Sequence, residues 1–223
     1  PQHIKNEEIM KFDRVVANPP FSLKNWGREY AENDFYKRYQ FGVPPKHSGD
    51  MAFVQHMIAS LKDDGVMGVV VTHGVLLRGG AECEIRRGIL ENDLLEAVIG
   101  LPSLLLPGTS IPCSLLIINK KKKPHTKGKV LFIDASHNFR KEKLKNLIGQ
   151  DEIGKIVSCF DSFEEIDSFS KIVSINQLKN NLFNLYVKRY ADASPESLEI
   201  KRLQDQYKSY KSFSLADLVI EVN

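Results

Sequence analysis

Cysteine and tryptophan are scarce in this sequence, three and one in 223 residues, and no apolar stretch approaches the roughly 20 residues that cross a bilayer. Cys83, Cys113 and Cys159 are widely spaced and odd in number, which excludes a disulfide framework and a zinc-binding spacing. The histidines at 3, 47, 56, 73, 125 and 137 show no His-x-x-x-His or mixed His/Cys spacing, so no metal site is expected. The N-terminus lacks the basic-then-apolar order of a secretory signal. Together these absences point to a reducing compartment, and a cytoplasmic protein without a membrane partner is expected. A strong charge of one sign is missing too. Thirty-one basic and 28 acidic residues leave a net charge of +3, too little for a compact, strongly basic nucleic-acid module, so any DNA contact must be local or shared with another subunit.

What is present suits an ordinary globular protein, 42% hydrophobic and 26% charged. The β-branched run from Phe12 to Ala17 reads as a strand stopped by Asn18-Pro19-Pro20, since proline removes a backbone donor and restricts its predecessor. Residues 22 to 49, with Gly27, Gly42 and Pro44-Pro45, form a long, aromatic-rich excursion of the kind that carries function. Ser48-Gly49-Asp50 opens a helix whose apolar residues Phe53, Val54, Met57, Ile58 and Leu61 recur at helical spacing until Asp63-Asp64-Gly65. A buried strand at Val66 to Val71, a loop with His73 and Arg78, a helix from Ala81 to Leu90 and a strand at Leu94 to Leu101 follow. This alternation predicts an α/β sheet. Two further strands are expected at Ser114 to Ile118 and Val130 to Asp134, with the Lys120–Lys123 run as a solvated hairpin tip between them. Residues 1–140 are thus expected to form the chemical domain and 141–223 a mainly helical extension. Ile200, Leu203, Tyr207 and Tyr210 mark a stripe that packs on the chain's own core or docks a partner helix.

The chemistry concentrates in Asn18-Pro19-Pro20-Phe21. An exocyclic amine conjugated with a ring is a poor nucleophile because its lone pair is delocalised. Two acceptors fixed on the amine hydrogens relocalise that pair: the Asn18 side-chain oxygen and a carbonyl of the Pro19-Pro20 segment, which proline holds rigid. Phe21 offers a ring face to a base that has left its helix. Ligands of open α/β sheets bind at the carboxyl ends of strands, where this motif is expected. The rival reading is a strand-terminating loop with Asn18 as turn former and Phe21 as a core plug. Arg78 and His73 are candidates for DNA phosphate or the flipped nucleotide, against ordinary loop hydrogen bonding, while Arg86 and Arg87 read as solvated surface.

The segments Phe12 to Ser22 (FDRVVANPPFS), Asp50 to His56 (DMAFVQH), His73 to Glu82 (HGVLLRGGAE), Leu94 to Pro102 (LLEAVIGLP), Gly108 to Pro112 (GTSIP) and Val130 to Ser136 (VLFIDAS) occur in one collinear order. In this the chain resembles the modification subunits of type I restriction-modification systems. The resemblance implies a Rossmann-like sheet and transfer of a methyl group from S-adenosyl-L-methionine to adenine N6 in duplex DNA. It also implies that Asn18, Pro19, Pro20 and Phe21 are catalytic, with Asn18 and Pro19 touching the methyl donor. Its implied partners are DNA, a specificity subunit that reads the sequence, a restriction subunit and a second modification subunit. Two features depart from the family. No glycine-rich turn precedes Asn18, so the chain is expected to be a part lacking the first strands and the main cofactor site, inactive alone. Leu104-Leu105-Leu106-Pro107 also lacks the aromatic that family members often place before Gly-Thr. The same tetrapeptide suits methylation of protein glutamine or of RNA bases, and a silent assembly module is the alternative of another class.

Overall fold

A computed structural model describes residues 3–106, 110–143, 145–192 and 194. The chain opens with a small hairpin, β1 (Ile4–Lys5) and β2 (Glu8–Ile9), and enters the main sheet at β3 (Phe12–Ala17). After the short helix α1 (Arg28–Ala31), helix α2 (Asp50–Ala59) leads into β4 (Leu61–Thr72). Helices α3 (His73–Leu77) and α4 (Ala81–Glu91) precede β5 (Leu95–Gly100), β6 (Cys113–Asn119) and β7 (Lys129–Asp134). A second small hairpin, β8 (Arg140–Lys141) with β9 (Asn146–Leu147), is followed by α5 (Gln150–Ser162), β10 (Ser170–Ser174), α6 (Ile175–Asn180) and a 3-10 turn at Val187–Arg189.

The six-stranded sheet has the order β10-β7-β5-β6-β4-β3. β3 and β4 are parallel, as are β5 and β7, while β6 runs against both β4 and β5 and β10 against β7. The expected α/β class is therefore present, but the sheet is mixed. The reversal at β6 follows from its connection: the described residues between β5 and β6 hold no helix that could carry the chain back across the sheet. Strands β3, β4, β5 and β7 all point one way, so Asn18, His73, Leu101 and Ala135 emerge at one edge.

Strand alternation divides two cores. Val130 and Phe132 face α2, α4 and α6, whereas Ala97, Ile99, Leu131 and Ile133 face Cys159 and Phe163 of the α5 layer. Among the described residues one face of β3 is covered, with Val15 and Ala17 against the first core and Val16 82% exposed on the other.

Several expectations need correction. The α2 helix stops at Ala59, and Asp63-Asp64-Gly65 belongs to the first half of β4, where Leu61 pairs with Phe12. The loop expected around His73 contains a short helix. The lysine run is not a hairpin tip, because β5 lies between β6 and β7. Nor is it all solvated: Lys122 is 5% exposed and its Nζ donates to Asp93 Oδ1 (2.6 Å), the Leu95 carbonyl (3.1 Å) and the Lys129 carbonyl (2.6 Å). Arg86 is likewise buried, 2% exposed, and donates to the carbonyls of Val75, Arg78 and Phe183. Arg87 is exposed and pairs with Glu84 and Glu91. Beyond residue 140 the chain is not simply helical: β10 extends the sheet, and Val173, Leu178, Leu185, Val187 and Ala191 enter its core. The stripe from Ile200 to Tyr210 lies outside the described residues.

Candidate active site

Asn18 follows β3 at the carboxyl edge, exposed, and its side chain forms no hydrogen bond among the described residues. Pro19 and Phe21 are half-buried and Pro20 is exposed. A polar side chain without a partner, on a loop stiffened by two prolines, is available to an incoming amine. No metal-holding group of three His, Cys, Asp or Glu side chains occurs among the described residues.

The loop is fixed from its far end. The Ser22 N–H donates to both oxygens of Asp50, at 3.0 and 3.2 Å, and the Gly49 N–H donates to the Leu23 carbonyl at 3.0 Å. Ser48-Gly49-Asp50 was expected to supply the capping start of α2, but the N-cap is Gly49, without a side-chain cap bond, and Asp50 turns to the Ser22 N–H instead. The Ser48 hydroxyl lies 2.5 Å from Asp50 Oδ2 and 3.2 Å from Glu82 Oε1. Ser48, Asp50 and Glu82 are 1, 3 and 2% exposed.

Arg78 closes this group. Its Nε and Nη2 donate to Glu82 at 2.5 and 3.0 Å, Nη2 also donates to Ser48 Oγ at 3.2 Å, and it stands 3.8 Å from Asp50 Oδ2. The bond to Glu82 holds the guanidinium even more firmly protonated than an ordinary arginine. Sequence reading missed Ser48, Asp50 and Glu82 as site residues. The pair Arg78 and Glu82 is four residues apart, but Arg78 lies in extended backbone between α3 and α4, so no shared helical face announced it, and the reach to Asp50 was equally unreadable.

His73 is half-buried against Tyr186, ring centroids 5.2 Å apart, and burial keeps its imidazole below the usual histidine range. Leu105 and Leu106 are half-buried nearby in sequence to the edge loop, and Pro107, Gly108 and Thr109 lie outside the described residues. The excursion from 22 to 49 is folded onto α2. Trp26 Nε1 donates to the Pro45 carbonyl at 3.0 Å, and buried Gln55 holds the Phe41 N–H and the Gly42 carbonyl. A recess of about 680 Å³ lies at the amino end of β3, lined by Ile9, Lys11, Tyr36 and Lys120, and takes in none of the candidate residues.

A mixed sheet with Asn-Pro-Pro-Phe at the carboxyl end of a parallel strand defines the class, an α/β methyltransferase domain. The crystal structure of the type I restriction-modification system methyltransferase subunit from Streptococcus thermophilus matches it with a TM-score of 0.76 and 38% identity over 84% of this chain. Residues 2–199 match the N-6 DNA methylase family, and the chain belongs to that family. Among its relatives, the type I restriction enzyme MjaVII methylase subunit of Methanocaldococcus jannaschii is 34% identical over 92% of this chain. The HindI methylase subunit of Haemophilus influenzae is 33% identical over 88%. The chain spans 37% and 44% of those two relatives and 40% of the Streptococcus protein.

Proposed function

We propose that this chain takes part in methylation of adenine N6 in duplex DNA, as a modification subunit of a type I restriction-modification complex. The observation that carries the reading is the unengaged Asn18 side chain at the carboxyl edge of the sheet, in a chain of the N-6 DNA methylase family. Asn18 Oδ1 accepts one N6 hydrogen and the carbonyl of Pro19 the other. Both bonds draw the nitrogen out of conjugation and aim its lone pair. Phe21 stacks on the extruded base, offsetting part of the few kcal/mol lost on unstacking. S-adenosyl-L-methionine, when bound, supplies the electrophilic methyl group. The exposed Asn18 and the half-buried Pro19 fit one side of that donor's reactive end.

The modest charge of +3 fits a subunit whose sequence readout is delegated to a specificity subunit, with a second modification subunit and a restriction subunit as further partners. Such a complex works in the cytoplasm, and no helix among the described residues is long and apolar enough to cross a membrane. For His73, packing on Tyr186 favours a structural role over DNA contact. Replacing Asn18 with alanine in the complete subunit is expected to abolish adenine methylation, read as tritiated methyl transfer, while assembly persists. Retained methylation would remove Asn18 from the mechanism.

A further inference from the structure

The Asn-Pro-Pro-Phe loop leaves its strand freely but ends under constraint. Ser22 has a φ of 50°, the left-handed region that side chains avoid, and such a residue persists only where its surroundings dictate it. Here both Asp50 oxygens take the Ser22 N–H, and Leu23 is tied to Gly49 beside it. Among the described residues the Ser22 N–H is the backbone donor that Asp50 holds.

The carboxylate is itself held from a different part of the sheet. Arg78, from the segment after β4, bridges Glu82, Ser48 and Asp50, so one guanidinium faces two buried carboxylates. Removing that cation leaves two buried negative charges uncompensated. The Arg78 main chain is fixed in turn by Arg86, whose Nη2 donates to the Arg78 carbonyl at 2.8 Å. Space at Gly74 bears on the fit: a β-carbon there would stand 2.5 Å from Arg78 Nη1, so alanine would push the guanidinium from its present place.

We propose that Asp50, clamped by Arg78 and Glu82, is a positioning residue for methyl transfer, fixing the Asn18–Phe21 loop through the Ser22 N–H. Arg78 then acts through Asp50 and not through a DNA phosphate. This rests on the reading of Asn18 to Phe21 as the amine grip, and it adds residues on two other elements to what keeps that grip in register.

The test compares Asp50→Asn, Arg78→Gln and Gly74→Ala in the assembled complex. Gly74→Ala displaces the guanidinium while leaving every charge in place. Steady-state and single-turnover methyl transfer, and DNA affinity by fluorescence anisotropy, are read for each variant. Misplacement of reacting groups by about 1 Å costs on the order of 10²-fold. A loss of that order in kcat, with KM and Kd for DNA unchanged, is expected for all three. Should Asp50→Asn fail to assemble, Gly74→Ala decides alone, by the same criterion. Wild-type kcat in Gly74→Ala or Asp50→Asn overturns the proposal. So does an Arg78→Gln effect confined to DNA affinity, which would mark a phosphate contact. Asn18→Ala run in parallel separates the two failures. If it is inactive while the clamp variants are fast, only the clamp is wrong; if it is active, the amine grip and the clamp fall together.

Discussion

Arg86 and Arg87 are adjacent in one helix and meet opposite fates. Arg87 lies along the solvent face between Glu84 and Glu91, pairs worth a few tenths of a kcal/mol at an exposed site. Arg86 turns inward and satisfies three carbonyls, those of Val75, Arg78 and Phe183, that would otherwise be stranded in an apolar region. Hydrogen bonds to a charged donor contribute about 1.5–3 kcal/mol each. Arg86→Met is therefore expected to destabilise the fold by about 3 kcal/mol or more, measured by urea unfolding, whereas Arg87→Met should change little. The sequence offered no sign of this difference. Ile85 and Ile89 mark the buried face, but the third carbonyl comes from Phe183, 97 residues away, and long-range polar partners leave no periodic trace. Asn18 was the opposite case: proline on its carboxyl side and a β-branched run before it place it in the sequence where the structure has it.

Among the elements, those with clean apolar alternation were legible. β3, β5 and β7 fall within a residue of their expected bounds, because burial on one or both faces demands a continuous pattern of β-branched and large residues. β10 escaped notice because Ser170–Ser174 is a short edge strand with only Ser170 and Val173 buried, too polar to announce itself. The Lys120–Lys123 run misled for a related reason: its composition speaks of solvent, yet Lys122 drives its stem inward and ties Asp93, β5 and the start of β7 together. Lys122→Ala is expected to cost about 3 kcal/mol in chemical denaturation, since the carbonyls of Leu95 and Lys129 lose this donor and Asp93 keeps just the Gly128 N–H. Lys121→Ala and Lys123→Ala, at exposed positions, should stay within about 0.5 kcal/mol of wild type.

The molecule as a whole should lose stability toward mildly acidic pH. His56 and His73 are held below their ordinary value of 6.5 chiefly by burial, and His56 Nδ1 has no partner. Both therefore fold neutral. As pH falls through the unfolded value near 6.5, the unfolded chain takes up protons that the folded one resists, so stability is complete above that pH and declines below it. Melting temperatures between pH 7.5 and about pH 5 should show the decline, and a His56→Gln, His73→Gln variant should flatten it. The arrangement of the sheet bears on handling in solution too. Among the described residues β3 ends the sheet, one row of its backbone donors and acceptors facing outward and Val16 82% exposed. No proline, lysine or bulge blunts the outer edge between Arg14 and Ala17, although such features are what keep natural edge strands from recruiting one another. Unless that edge is covered, two copies can zip together along it, and colloidal behaviour rather than unfolding then sets the working concentration of the isolated chain.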